Sequence, residues 1–354
     1  VLEPGGARVL SDGWASVVGL AWHPSEEEVW FTAARENRPR SVWAVSLNGR
    51  VRPVAQAPGV LTLRDIAPDG RALVTRDTRR LEMAGRWKDD GSERDYSWLD
   101  WSRVQELSAD GRTLLFDESG EAVGNRSVAY VRDLETGAVT RLGEGMAMGF
   151  DPAGGSALIA REDRRRMAIV PLAGGNYRWL PESGLQYQWA RLLPDGRRLF
   201  ALASRAPHGL RLVVHPLEGS PVVDISPEMM IRNAAISPDG EWVAVLSPKN
   251  ELLLYATKAP QQPRVIPSAD PLAPLRWTGE AIVVQHLRRA SASSAQLSRV
   301  DIRTGRLTPL REIGPSDRLG VNSITGVALS SDGRSYVYSY RRVLSELFIA
   351  EAWR

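Results

Sequence analysis

The sequence predicts an all-β protein, an eight-bladed β-propeller built from four-stranded antiparallel blades. Three observations predict it. A tight-turn marker between two short apolar runs, clearest at Ser237-Pro238-Asp239-Gly240, recurs along the chain. Its copies stand 39 to 54 residues apart, most of them 41 to 44, a period of blades made from strands and turns. No segment of useful length carries the 3.6-residue apolar rhythm of a helix.

The marker works through its turn chemistry. Proline presets φ, Asp tolerates the next position, and Gly enters the left-handed region without a Cβ clash. Related copies are Ala67-Pro68-Asp69-Gly70, Ser108-Ala109-Asp110-Gly111, Asp151-Pro152-Ala153-Gly154, Leu193-Pro194-Asp195-Gly196 and Ser330-Ser331-Asp332-Gly333. His23-Pro24-Ser25-Glu26 and Trp277-Thr278-Gly279-Glu280 are degenerate copies that complete the set. Flanking runs rich in β-branched and aromatic residues make each copy a hairpin.

Each unit reads as four strands with the marker between its first two. The first unit takes residues 17–22, 29–33, 41–47 and 51–55; the second takes 61–66, 72–76, an irregular path through 81–87, and 95–98. The third uses 103–107, 113–117, 127–133 and 138–142, and the fourth 147–150, 157–160, 167–171 and 177–180. Residues 188–192, 198–203, 210–215 and 221–225 make the fifth. The sixth spans 235–266 and the seventh 274–310. The eighth has three strands within 324–354, so a fourth is expected from residues 7–13, closing a single domain over 1–354 without an open sheet edge. A seven-bladed ring with one vestigial unit is the alternative.

Composition is that of an ordinary globular chain: 354 residues, 43% apolar and 25% charged. A net charge of +3 is small against 45 basic and 42 acidic residues, so charge alone gives no reason to expect nucleic acid. Short basic runs such as 164–166 lack interleaved aromatic platforms, which points the same way. The chain has no cysteine, which removes disulfide, thiolate and Cys-ligated metal chemistry. No run of 18 apolar residues occurs, so no membrane contact is expected from this chain itself. Its start, Val1-Leu2-Glu3-Pro4, is read as the product of processing or of a designed boundary.

One run is more distinctive than the markers: Gly91-Ser92-Glu93-Arg94-Asp95-Tyr96-Ser97-Trp98-Leu99-Asp100-Trp101-Ser102, followed by Leu107-Ser108-Ala109-Asp110-Gly111-Arg112-Thr113-Leu114-Leu115-Phe116. The hairpins resemble TolB-like, WD40-like propeller repeats of bacterial extracytoplasmic proteins. This run, with the ending Tyr338-Ser339-Tyr340-Arg341-Arg342-Val343-Leu344-Ser345-Glu346-Leu347-Phe348, is similar to the C-terminal propeller of bacterial membrane-anchored serine/threonine protein kinases. The resemblance spans essentially the whole chain. It implies a sensor domain outside the cytoplasm that binds a ligand or protein on one ring face. No His-Arg-Asp loop, Asp-Phe-Gly or kinase glycine loop occurs, so kinase chemistry is not expected of this chain.

Other chemistry has little footing. The four histidines, His23, His208, His215 and His286, fall in different units, and no Gly-x-Ser-x-Gly elbow accompanies them. No catalytic residue, cofactor or metal is therefore expected. Asp89, Asp90, Glu93 and Asp95 supply oxygen ligands but miss the calcium-loop spacing, and a solvated loop is the simpler reading. Gly143–Gly149 has the wrong spacing for a phosphate loop and leads into a strand. Aligning the first strands on their turns puts Asp65, Glu106 and Arg191 at one level, with Arg276 nearby, and Gln188 and Asn233 on the same strands. Such charges either pair between blades or line a polar funnel. Trp98 and Trp101 are core or spacing residues on one reading, and part of a recognition face on the other.

Overall fold

The computed structural model describes residues 2–3, 6–25, 27–35, 40–57, 59–88, 91–124, 126–229, 231, 233–258, 262–268, 270–288, 291–351 and 353. These residues form strands and turns, with one short 3-10 segment at Glu121–Val123. Among them no helix is long and apolar enough to cross a membrane. The chain divides into two compact units, one of residues 1–80 and 342–354, the other of residues 81–341.

The marker turns form as their chemistry dictates. In the Ser237 copy, the Gly240 N–H donates to the Ser237 carbonyl at 2.8 Å, and Gly240 sits at φ 70°. The Ser237 hydroxyl donates to Asp239 at 2.5 Å while accepting the Trp242 N–H at 2.9 Å. The Ser237 hydroxyl, and after it the Glu241 N–H at 2.9 Å, hold the Asp239 carboxyl below its usual range. A Cβ on Gly240 would lie 2.6 Å from Cδ of Pro194. Gly240→Ala is therefore expected to cost about 1–2 kcal/mol, the left-handed penalty, read as a lower urea midpoint; an unchanged midpoint would contradict this account of the turn.

The larger unit contains six antiparallel sheets. Blade 1 is Ser102–Leu107, Thr113–Ser119, Ser127–Asp133 and Val139–Glu144. Blade 2 is Met146–Phe150, Ser156–Ala160, Met167–Pro171 and Arg178–Trp179, and blade 3 is Gln186–Leu192, Arg198–Ser204, Arg211–Pro216 and Val223–Asp224. Ala234–Ile236, Trp242–Leu246, Leu252–Ala256 and Arg264–Ile266 make blade 4. Leu272–Thr278, Ala281–His286, Ala295–Asp301 and Leu307–Ile313 make blade 5. Blade 6 takes Val321–Leu329, the start of Tyr336–Ala350, the end of Ala72–Arg86, and Arg94–Asp95.

Apolar side chains alternate toward both faces of each blade, so every neighbouring pair of blades shares a core. Met83, Val104 and Val337 belong to the core between blades 6 and 1; Leu115, Ala147 and Ile159 to that between 1 and 2. Equivalent cores join 2 to 3, 3 to 4, 4 to 5 and 5 to 6. The ring of six is thus closed by packing. A buried hydroxyl completes the last seam: Ser339 Oγ accepts the Val104 N–H at 2.8 Å.

The smaller unit holds the sheet Ser16–Trp22, Glu28–Ala34, Ser41–Ser46 and Val51–Ala55. Val60–Ile66 pairs with the start of Ala72–Arg86, and Arg76 bonds Glu346 of the Tyr336–Ala350 strand at 2.5 Å. Trp30, Val42, Leu63 and Val74 form its core. The buried Thr32 hydroxyl accepts the Leu63 N–H at 2.7 Å, tying the two sheets together.

The all-β class and the four-stranded antiparallel blades are as the sequence predicts. The described residues form seven sheets of four or more strands, the count of the seven-bladed alternative, and closure differs from the expectation. The eight markers count hairpins, and six of those hairpins belong to the ring. Residues 7–13 do not complete the last blade: Gly6–Ala7 pairs with Leu2–Glu3, and residues 8–13 form no strand. The outer strands of blade 6 come instead from residues 81–86 and 94–95. Two strands, Ala72–Arg86 and Tyr336–Ala350, are each 15 residues long. Residues 72–76 and 81–86, expected in separate segments, belong to one continuous strand, Ala72–Arg86.

Candidate functional site

The first strands of all six blades and their marker turns line a central cavity of about 690 Å3 in the larger unit. Each of blades 1, 2, 3 and 5 has a β-bulge in its first strand, between Val104/Glu106, Ala147/Gly149, Tyr187/Trp189 and Pro274/Arg276. A bulge twists the strand and re-aims the residues after it. Glu106, Arg191 and Arg276 follow such bulges, and all three line the cavity.

Two arginines reach toward blade 1 from opposite sides. Arg191 of blade 3 crosses blade 2: its Nε lies 3.4 Å from Glu106 Oε2, and its Nη2 donates to the Gln105 carbonyl at 3.1 Å. Gly149 makes that crossing possible, because a Cβ there would lie 2.5 Å from Arg191 Cδ and 2.7 Å from Glu106 Oε2. Arg276 of blade 5 crosses blade 6, donating to the Leu107 and Leu329 carbonyls at 3.1 and 2.8 Å and to Ser331 Oγ at 3.0 Å. Glu106 Oε2 also accepts the Phe150 N–H at 2.8 Å.

Burial lowers the pKa of both arginines, most strongly through lost hydration, although guanidinium remains cationic in proteins. The Glu106 carboxylate opposes that shift at both groups. Arg191 also lies over the Trp189 ring, 5.1 Å from its centroid, a favourable cation–π placement. Asp151 adds a second carboxylate to the lining. The cavity therefore presents fixed cations, fixed carboxylates and an aromatic wall, a set that orients a polar ligand carrying both charges.

Behind Glu106, the bulged Gln105 donates its amide to Asp117 Oδ2 at 2.6 Å, and Asp117 Oδ1 accepts the Ala147 N–H at 2.6 Å. Asp117 is 4% exposed. Burial pushes its carboxyl up to about 7, against the two hydrogen bonds that lower it. Nothing in the turn alignment singled out this residue, since it stands on a second strand within an apolar run.

The remaining expected site residues lie elsewhere. Gln188 is the extra residue of the blade 3 bulge, exposed and accepting from Arg164. Asn233 precedes the first strand of blade 4 and does not line the cavity. Asp65 belongs to the smaller unit, exposed, with Oδ1 accepting its neighbour's Ile66 N–H at 2.8 Å. An alignment on turns gives no warning of a bulge, and the bulge leaves Gln188 out of the cavity lining.

Trp98 and Trp101 stand on the connection from blade 6 to blade 1, outside the cavity. That connection is held from beneath by the buried Glu118. Its Oε1 accepts from Ser102 Oγ and from the Leu99 N–H, and its Oε2 accepts the Trp101 N–H. Burial raises the Glu118 carboxyl above its usual range. Arg132 lies over Trp98 and Arg341 over Trp101. The Glu93–Ser102 run thus has a structural task in closing the ring.

The histidines remain apart from one another. His286 bonds Ser298 Oγ at 2.8 Å and has Asp270 Oδ2 3.6 Å from Nδ1, the order of a hydrolytic triad. His286 and Ser298 are 2% and 3% exposed and line neither described cavity, so the arrangement braces blade 5. Asp89 and Asp90 lie outside the described residues, as does Glu26 of the first marker. Among the described residues, no three metal-ligating side chains cluster.

No protein-family model and no curated protein sequence matches the chain. Solved structures similar in fold include TolB from Acinetobacter baumannii, at 13% identity over 94% of this chain and 57% of that one, with a TM-score of 0.36. The tricorn protease is 12% identical over 95% of this chain and 44% of its own, with a TM-score of 0.44. A chain of a nidogen/laminin complex is 8% identical over 66% of this chain and 94% of its own, at 0.48. The chain spans about half the length of the first two. The all-β class rests on the chain's own strands and four-stranded sheets.

Proposed function

We propose that the larger unit is a non-catalytic recognition domain whose central cavity binds a small polar ligand, such as an amino acid or the end of a peptide. The observation that carries this reading is the convergence of Arg191, Arg276 and Glu106 in the lining of one cavity. A group of both charges, held by rigid strands, fixes the orientation of a zwitterion without needing to move. The buried, structural setting of the Asp270–His286–Ser298 line supports a reading without hydrolysis.

In its finer form, the proposal makes this chain the extracytoplasmic sensor of a bacterial membrane-anchored serine/threonine kinase. The support is the Glu93–Ser102 run and the chain ending, both resemblances of sequence. A ligand in such a sensor acts by favouring one of two receptor arrangements. A stand-alone interaction scaffold of the cell envelope is the alternative. The encoding gene separates them: a kinase domain and a membrane segment ahead of Val1 support the sensor, and their absence favours the scaffold.

Calorimetric titration with free amino acids and short peptides tests the site. Arg191→Ala is expected to weaken the best binder at least tenfold. Unchanged binding with a lower melting temperature would make Arg191 an inter-blade brace and nothing more.

A further inference from the structure

A second cavity, of about 610 Å3, opens between blades 1 and 2. The central cavity is lined by marker turns, whereas this one is lined by the link from blade 1 to blade 2 and by the turn after Ser156–Ala160. In an antiparallel blade those connections lie at opposite ends of the strands. The groove is therefore separate from the site proposed above.

Its shape is built into the backbone. Gly143 and Gly145 sit at φ 147° and 129°. A Cβ on Gly143 would fall 1.5 Å from the Tyr177 hydroxyl, and one on Gly145 would fall 2.4 Å from the Ala160 carbonyl. Gly143 thus lets Tyr177 settle against the link, where its hydroxyl donates to the Leu142 carbonyl at 2.8 Å, and Gly145 lets the link pass close to Ala160. Tyr177 then meets Trp179 edge-on at 5.9 Å, and Trp179 stays 42% exposed on the groove. An indole of that exposure, fixed on a two-residue outer strand with the Arg166 guanidinium 4.9 Å from its centroid and outside the groove lining, is a stacking platform.

The charged lining is mixed. Arg126 pairs with Glu144 at 3.4 Å. Arg141 and Arg161 line the groove, both exposed, and no side-chain partner of either stands among the described residues. Glu162 lies beside Arg161. A polyanion such as an acidic peptide or a phosphate chain would meet Glu144 and Glu162 unfavourably. A sugar would not, because its hydroxyls donate to carboxylates and its ring packs on an aromatic face. The free guanidiniums suit a planar carboxylate through paired N–H donors.

We propose that this groove binds a carboxylate-bearing saccharide of the uronic-acid class, with the pyranose ring on Trp179 and its carboxylate between Arg141 and Arg161. Glu144 and Glu162 take the sugar hydroxyls. The site requires nothing of the central cavity, so it stands or falls independently of the ligand proposed there.

Isothermal titration of the full chain with aldotriouronate, a trisaccharide carrying a single uronate, tests it, with maltotriose and tetraglutamate as comparison probes. Aldotriouronate is expected to bind at least tenfold more tightly than either. Arg141→Gln with Arg161→Gln is expected to reduce that affinity at least tenfold, and Trp179→Ala likewise, with melting temperatures within about 2 °C because all three side chains are exposed. Arg191→Ala leaves it unchanged. No heat with aldotriouronate, equal binding of maltotriose, tighter binding of tetraglutamate, or full affinity in the double variant would each overturn the assignment.

Discussion

Glu93→Ala is expected to destabilise the larger unit by about 3 kcal/mol, the cost of stripping a charged partner from buried donors. The Glu93 carboxylate accepts from the Tyr336 hydroxyl at 2.8 Å and from Tyr338 at 2.5 Å. Those tyrosines are 4% and 0% exposed. Burial, followed by the nearby carboxylate, pushes Tyr336 up to about 12 and raises Tyr338 further. Without Glu93, two buried hydroxyls lose their acceptor while the cations of Arg86 and Arg311 remain over the Tyr336 ring, 5.5 and 4.8 Å from its centroid. Calorimetry would show a fall of roughly 6–10 °C. Tyr336→Phe, which removes one donor and leaves the carboxylate its other, is expected to cost about 1 kcal/mol. Equal melting of wild type and Glu93→Ala would show that the last blade is closed by packing alone.

The second large effect concerns Asp117 and is one of pH. Its folded pKa, near 7, is raised above the unfolded value of about 3.9. The folded state therefore holds a proton that the unfolded chain releases, and stability falls as pH rises from about 4 to 7. Asp117→Asn keeps an acceptor for the Ala147 N–H, and the Gln105 amide can turn to meet the new donor. The variant is expected to gain roughly 2–4 kcal/mol at pH 8 and little at pH 4, at 1.36 kcal/mol per unit. Urea unfolding across pH 4–8 checks it; parallel pH profiles for both proteins would sink the idea. Below pH 4 the marker aspartates act in the opposite sense. Asp110, Asp239 and Asp332 have depressed pKa values, so their contribution is present above the unfolded pKa and is lost as acid protonates them.

The repeat was legible because each marker encodes its own turn: Pro, Asp and Gly fix a backbone shape from local chemistry, wherever the hairpin ends up. Closure was illegible for the converse reason. Residues 72–76 and 81–87 are separated by Asp77, Arg79 and Arg80, polar residues that read as a loop and are instead the exposed middle of a long strand. The site was half legible. Glu106, Arg191 and Arg276 share a level because six first strands are alike, and charge on an inner strand needs a partner. Gln105, Gly149 and Asp117 act through bulges and close approaches that leave no mark in residue type. The Glu93–Ser102 run was legible as distinctive, but its distinctiveness reflects Glu93 on two tyrosines and Glu118 beneath the tryptophan loop.

Trp101 marks one further property of the ring. Leu81, its first residue, forms a parallel bridge with Trp101, and Arg341, its last, lies 5.7 Å from the same indole. Entry and exit of the six blades are thus side by side on one tryptophan. Tension applied to the two ends of such a segment is met where they lie together, beside Trp101. Both end strands belong to blade 6, so a pull on them loads that blade first and reaches the other five only through the packing between blades.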